Sequence, residues 1–268
     1  MRQQSSVARL LASVALTAVL AAGLGGCQTM SDVTGSLTPK AEAGPDADPR
    51  HQAEVYGERY RTNPKDADAA LAYGQALRAT GQRSQAAAVL EQATINHPGD
   101  KALMAAYGRA LADNGNFQQA FDVLSRAHSP DNPDWRILSV QGAALDQLGR
   151  HEEARRYYTS ALKMAPDEPS VLSNLGLSYV LSRDLPKAEA ALRQAYASSK
   201  ADARVRQNLG LVVGLQGRFA EAESIVKADL PPDEATANVA YLKQMLSRKD
   251  NTRNGAATVP LASLSRPD

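Results

Sequence analysis

The chain has 268 residues, with 30 lysines and arginines against 29 aspartates and glutamates, so its formal net charge is +1. Proteins that bind nucleic acid normally carry a clear surplus of positive charge that replaces the counterions of the phosphates, so this balance argues against a nucleic-acid partner. Only 5% of the residues are aromatic, whereas alanine, the strongest helix former, is abundant. The composition therefore predicts a mainly helical protein.

The start of the chain, residues 1–26, predicts an export signal. Arg2 and Arg9 make this segment positive at its beginning, and residues 10–24 are apolar apart from small serines and threonines. The apolar segment is shorter than the roughly 20 residues that a membrane-spanning helix needs. It ends in Leu24-Gly25-Gly26-Cys27, which resembles the lipobox of bacterial lipoprotein signals. The resemblance implies that residues 1–26 are removed and that Cys27 is lipidated.

The residues after the signal indicate how the protein is held. Cys27 is the only cysteine, so no disulfide can form within the chain. Several acyl chains on Cys27 would anchor the protein firmly, and Gln28 at the next position implies, by the sorting rule of such lipoproteins, the outer membrane with the protein facing the periplasm. Residues 27–48 mix serine, threonine, glycine, proline and alanine without a helical or strand period. We expect a flexible linker there.

A repeat with a period of about 34 residues runs through the remainder of the chain. Its first column is the series Gly74, Gly108, Gly142, Gly176 and Gly210, and its second column, twelve positions later, is Ala86, Ala120, Ala154, Ala188 and Ala222. A third column consists of Gly81, Gly115, Gly149 and Gly217, with Arg183 in the fourth repeat. Small residues in the first two columns allow paired helices to cross closely, and glycine in the third column suits a turn between them.

These columns resemble the pattern of the tetratricopeptide repeat (TPR), in which a helix A is followed by a helix B. The resemblance implies an all-α, right-handed superhelical solenoid with about five repeats over residues 67–234. Residues 49–62 fit a leading helix that ends before Pro64, and residues 231–248 fit a C-terminal capping helix. We therefore expect the solenoid to occupy residues 49–248 and a disordered tail to occupy residues 249–268.

No group of residues predicts catalysis or a cofactor. The sequence shows no nucleophile with a candidate base and no phosphate-binding glycine loop. The four histidines lack metal-ligand spacing, and His151-Glu152-Glu153-Ala154-Arg155 has an arginine where a zinc motif needs its second histidine. We therefore predict no enzymatic activity, no metal, no cofactor and no small-molecule substrate.

The TPR resemblance implies a concave groove lined by the A helices. In the first three repeats the inner positions are polar: Asp68, Gln75, Arg78, Arg109, Asp113, Arg136 and Asp146. We expect the basic residues Arg78, Arg109 and Arg136 to speed the approach of a partner. In the last two repeats the inner positions are mainly apolar: Asn174, Leu177, Val180, Leu181, Arg204, Asn208, Leu211 and Leu215.

The two asparagines allow two interpretations of this groove. In peptide-binding TPR proteins an asparagine at this position holds the backbone of an extended peptide, so the resemblance implies a peptide site that includes Asn174 and Asn208. The alternative is that the asparagines cap or solvate the inner surface and that the leucines pack between repeats.

Three stretches are similar to one particular family. They are VLSNLGLSYVLSRDLPKAEAALRQA (171–195), RVRQNLGLVVGLQGRFAEAE (204–223) and DLPPDEATANVAYLKQML (229–246). They resemble the TadD-like TPR lipoprotein of the tight-adherence (Tad, or Flp) pilus system. The resemblance implies a non-catalytic assembly factor for a type IVb pilus, with the pilus secretin or other Tad components as protein partners. A general outer-membrane adaptor for peptidoglycan hydrolases or outer-membrane assembly factors, and a cofactor subunit of an enzyme, remain open alternatives.

Overall fold

The structure, a computed structural model, describes residues 48–128 and 133–257, with side chains up to residue 248. Within these residues it contains twelve α-helices and no strand, which confirms the all-α fold class. None of the helices in these segments has both the length and the hydrophobicity of a membrane span. The signal segment 1–26, Cys27 and the linker up to residue 47 lie outside the described residues.

The helices follow one another as a leading helix, five A/B pairs and a last helix. The leading helix is α1 (Pro49–Thr62). The A helices are α2 (Ala67–Ala79), α4 (Lys101–Asp113), α6 (Trp135–Gln147), α8 (Pro169–Leu181) and α10 (Ala203–Leu215). The B helices are α3 (Arg83–Asn96), α5 (Phe117–Ala127), α7 (His151–Met164), α9 (Leu185–Tyr196) and α11 (Phe219–Val226). The last helix is α12 (Pro232–Ala257), and each described helix contacts only helices one or two places away along the chain.

Every A helix begins in the same way. The residue before it is acidic, and its carboxylate accepts a hydrogen bond from a backbone N–H of the first turn, which would otherwise lack a partner. These capping residues recur with the same period as the glycines, as Asp66, Asp100, Asp134, Glu168 and Asp202. The caps form a further column of the repeat and fix the start of each helix A.

The first glycine column lies where helix A crosses helix B. A Cβ atom on each of these glycines would come within 2.5–2.7 Å of a side chain on the following helix B. The crossings are Gly74 with Leu90, Gly108 with Leu124, Gly142 with Tyr158, Gly176 with Leu192, and Gly210 with Val226. No side chain fits at that distance, so only glycine allows the two helices to approach this closely. The repeat register predicted from the sequence is therefore confirmed.

The turn column differs in one repeat. Gly81, Gly115, Gly149 and Gly217 have φ between +77° and +85°. Arg183, at the equivalent place in the fourth repeat, has φ +62° and is the one described residue other than glycine with a positive φ. A side chain in this left-handed conformation costs about 1–2 kcal/mol. The fourth repeat therefore contains a strained turn.

The last helix extends further than the sequence suggested. We expected it to end near Arg248, but α12 continues to Ala257. No proline interrupts the chain after Pro232 until Pro260, so the backbone hydrogen bonds of the helix can continue past residue 248. The expected apolar stripe is present, since Ala235 and Val239 are buried against the last repeat and Leu242 is half-buried.

Candidate functional site

The apolar inner positions of the last two repeats are partly exposed. Leu181 and Leu211 have 48% and 40% of their surface exposed, whereas Leu177 and Leu215 are half-buried. Val180, also half-buried, packs against the core of the last repeat. The leucines are thus neither a closed core nor freely solvated. We call Asn174, Leu177, Leu181, Asn208, Leu211 and Leu215 the C-terminal strip.

The two asparagines of the C-terminal strip join successive A helices. The side-chain amide of Asn174 donates to the Oγ of Ser139 over 3.3 Å, and that of Asn208 donates to the Oγ of Ser173 over 2.9 Å. Asn174 is buried and Asn208 is half-buried. These bonds fit the interpretation in which the asparagines cap the inner surface. They use the amide N–H groups, and a carboxamide also carries an acceptor oxygen that suits the N–H of a bound peptide.

The sequence analysis missed the two serines. Ser139 and Ser173 are both buried, and each lies 35 residues before its asparagine. The repeat register could have predicted these pairs, because residues separated by one repeat plus one residue lie opposite each other on neighbouring A helices. A polar residue 35 positions before each asparagine was the signal in the sequence.

The predicted basic residue Arg78 does not carry an unbalanced charge. Its Nε donates to Oδ2 of Asp113 over 2.5 Å, again across 35 residues, and both side chains are largely buried. Asp113, which we expected to line the groove, is therefore the counter-ion that joins α4 to α2. This pairing reduces the contribution that Arg78 can make to the attraction of a partner.

Arg109 and Arg136 share a second carboxylate. Their guanidinium groups lie 3.6 Å and 3.7 Å from Asp134, the residue that caps α6. Burial lowers the pKa of Arg109, and Arg136 also lies over the ring of Trp135, 4.6 Å from its centroid. With Asp113 and Asp134 present, the three arginines form a cluster of one net positive charge. The expected acceleration of binding is correspondingly weaker.

Asp146 was expected in the groove, but the structure buries it between helices. Its carboxylate accepts hydrogen bonds from the Tyr158 hydroxyl at 3.0 Å and the Ser178 hydroxyl at 2.8 Å, and it lies 2.9 Å from Nδ1 of His151. Burial raises the pKa of Asp146. The residue joins α6, α7 and α8, so the expectation that it faces a ligand is wrong. Among the other expected inner residues, Asp68 and Gln75 are exposed and Arg204 is half-buried.

Comparisons with known families agree with this architecture. The tetratricopeptide-repeat family profile matches residues 126–169, 139–203 and 173–235. The profile of anaphase-promoting complex, cyclosome, subunit 3 matches residues 50–127. A search of curated proteins finds no match.

Several solved structures share the fold. PilW, described as a widely conserved type IV pilus biogenesis factor, has a TM-score of 0.63 at 17% identity, over 72% of this chain and 91% of PilW. A TPR protein from Parabacteroides merdae has a TM-score of 0.62 at 12% identity, over 73% of this chain and 78% of that one. The Cut9–Hcn1 structure has a TM-score of 0.59 at 18% identity. The match covers 74% of this chain and 40% of that neighbour's length.

At identities of 12–18%, these TM-scores establish a shared fold. The described part of the chain is a TPR solenoid, and proteins with this fold are typically non-catalytic scaffolds for protein–protein interaction.

Proposed function

We propose that this chain is a non-catalytic TPR lipoprotein that binds components of a Tad/Flp (type IVb) pilus and assists their assembly at the cell envelope. The observation that carries its binding role is the C-terminal strip. Leu181 and Leu211 expose 48% and 40% of their surface at positions that the TPR pattern assigns to the inner face, on the same helices as Asn174 and Asn208. Apolar side chains held in a concave surface beside a few polar groups are typical of a binding site.

The pilus assignment rests on the sequence. Residues 171–195, 204–223 and 229–246 resemble the Tad lipoprotein, and they include both the C-terminal strip and the start of α12. PilW offers a precedent for this fold in type IV pilus biogenesis. At 17% identity, the similarity between the two proteins is one of fold. The partners that follow from the proposal are the pilus secretin or other Tad assembly components.

The proposal includes a location. A lipid on Cys27 would hold the protein at the outer membrane, facing the periplasm, and residues 28–47 would connect the anchor to α1. Replacing Cys27 with serine should abolish the incorporation of labelled fatty acid and release the protein from membranes. Continued labelling of Cys27→Ser would exclude this anchor.

Deletion of the gene tests the function. We expect the deletion strain to lose surface pili and adherence while pilin is still synthesised. In a strain that carries a tagged copy of the gene, we expect the secretin to co-purify with the tagged protein. Restoring the gene as Leu211→Ala should give weak piliation, whereas Leu148→Ala, which removes an exposed leucine at the α6–α7 turn, should restore it fully. A deletion strain with normal pili would instead favour the general outer-membrane adaptor.

A further inference from the structure

The last helix repeats the pattern of the C-terminal strip. In α8 and α10 an asparagine is followed by apolar residues three and seven positions later. The same pattern occurs in α12 as Asn238, Tyr241 and Met245. The spacing from Asn208 to Asn238 is four positions shorter than that from Asn174 to Asn208, and α11 has 8 residues where the other B helices have 11–14. The shorter helix B accounts for the shorter spacing.

The contacts of α12 place it as the A helix of a sixth, incomplete repeat. Ala235 and Val239 are buried in the same cluster as Leu209 of α10. A Cβ atom on Gly214 would come within 2.5 Å of Leu242 Cδ2, so α10 and α12 approach closely. The helix therefore packs on α10 in the way that A helices pack on one another in this chain.

Two contacts fix which flank of α12 faces α11. The Thr236 hydroxyl donates to Oε1 of Glu223 over 2.8 Å, and Lys243 Nζ lies 5.7 Å from the centroid of the Phe219 ring. Because a helix turns about 100° per residue, Tyr241 and Met245 each lie about 160° around the axis from Lys243. They point away from the B helices, toward the side that carries Leu211. Tyr241 and Met245 expose 47% and 44% of their surface.

We propose that the C-terminal strip continues across α12 and binds an uncharged, extended segment of a partner protein, an inference that rests on the proposed function. None of the nine residues of this extended strip, which adds Asn238, Tyr241 and Met245 to the C-terminal strip, is charged. A charged segment would lose hydration beside these nine side chains, none of which supplies a counter-ion. Carboxamides present both a donor and an acceptor to peptide groups, and the apolar residues suit apolar side chains between them.

The structure favours an extended segment over a helix that would complete the sixth repeat. Such a helix would pack on the flank of α12 that corresponds to Gly210 in α10. That flank carries Ala240, Gln244 and Ser247, which are exposed and mainly polar. An added helix would gain little apolar contact there, because the large exposed apolar residues of α12 up to residue 248, Tyr241 and Met245, lie on the extended strip instead.

Binding of defined peptides tests the inference. We would screen the full-length protein in detergent against an array of short uncharged peptides with three apolar residues, and against the same peptides with one aspartate at the centre. The uncharged set should bind more strongly. In fluorescence anisotropy with the best uncharged peptide, Tyr241→Ala and Met245→Ala should each weaken binding about tenfold. The matched control Gln244→Ala, on another face of the same helix, should stay within about twofold of the wild type.

Asn238→Ala provides a second variant that preserves the apolar residues. Its side chain is exposed, so the fold should persist, and we expect binding about threefold weaker. If Leu211→Ala weakens binding and none of the α12 variants does, the strip ends at α10; this inference then fails while the proposed function stands. If uncharged peptides do not bind, and Leu211→Ala also leaves the complex with the secretin intact, both fail.

Three other results would overturn the proposed occupant. Equally strong binding of the aspartate peptides would exclude recognition of an uncharged segment. Dimers in sedimentation that Tyr241→Ala abolishes would assign the extended strip to a second copy of this chain. Tighter peptide binding after removal of residues 258–268 would assign it to the protein's own C-terminal segment.

Discussion

The first three and the last two repeats link successive A helices with different chemistry. In the first region a guanidinium and a carboxylate join neighbouring A helices, as Arg78 and Asp113 do across 35 residues. In the second region a carboxamide and a hydroxyl do so, as Asn208 and Ser173 do across the same spacing. A spacing of one repeat plus one residue therefore accommodates either a charged or a neutral link, and the charged link lies about two turns nearer the C-terminal end of helix A.

The choice of link determines what remains for a partner. Arg78 and Asp113 are directed at each other and largely buried, so this part of the inner face is already paired. The neutral links occupy little of the surface and leave Leu181 and Leu211 exposed beside them. We infer that the charged region mainly stabilises the solenoid and that the neutral region binds.

If the exposed leucines are core residues, the last two repeats do not differ from the first three in carrying a binding surface. Two variants on one helix test this. Leu209→Ala removes a fully buried side chain and should cost about 2–5 kcal/mol of the free energy of unfolding. Leu211→Ala, on the same helix but 40% exposed, should cost less than about 1 kcal/mol. Urea unfolding of both variants measures the difference. Similar losses for the two would show that Leu211 is core.

The second region carries charges on its B-helix side, and acid should reveal them. Glu189, largely buried, bonds to Arg218, Arg193 and Gln216, and the bond from Arg218 is the main reason that its pKa falls to about 2. A lowered pKa stabilises the fold above the normal carboxyl value, and this contribution is lost as the pH falls from about 4.5 toward 2.

The expected contribution of Glu189 at neutral pH is about 2–3 kcal/mol. Glu189→Gln should reduce stability at pH 7 and flatten its decline in acid, as measured by urea unfolding at several pH values. Arg218→Gln should flatten the same decline. If stability declines in acid as steeply in both variants as in the wild type, the lowered pKa of Glu189 is contradicted.

Salt should separate the two kinds of link on the inner face. Asp113→Ala leaves Arg78 largely buried without this carboxylate and should cost about 1–3 kcal/mol, while removing part of the salt dependence of stability. Asn208→Ala removes a neutral hydrogen bond and should cost about 1 kcal/mol without changing the salt dependence. Thermal melts at low and high salt test both. If Asn208→Ala changes the salt dependence as much as Asp113→Ala does, the distinction between the regions is wrong.

The smallest expected effect is a gain in stability from a substitution in the turn of the fourth repeat. Arg183→Gly removes the strain of a side chain at φ +62° and should stabilise the protein by up to about 1 kcal/mol. The matched change Gly149→Ala, at φ +77° in the third repeat, should destabilise by a similar amount. Calorimetry on both variants checks the sign. A loss of stability in Arg183→Gly would mean that the arginine makes a compensating contact.

The sequence was sufficient for the register and insufficient for the neighbours of each side chain. Gly74 and its equivalents recur at a fixed spacing because helix crossing requires them, so the positions of the pairs could be predicted. Asp146 shows the limit. It occupies the same helix position as Arg78, yet it is buried because Tyr158 replaces the leucine found at the crossings of repeats one, two and four and directs its hydroxyl at the carboxylate. Helix position predicts a direction, whereas the partner depends on which side chain stands opposite.

The strictly local contacts of the helices have a consequence for evolution. Because each described helix touches only helices one or two places away, a block of one repeat length such as 101–134 can be lost or duplicated while the crossings elsewhere stay intact. The caps and glycines at both junctions would still match, since they recur with the same period. The number of repeats can thus change in whole units, and each unit alters the distance from α1 to the extended strip by one step without altering the strip itself.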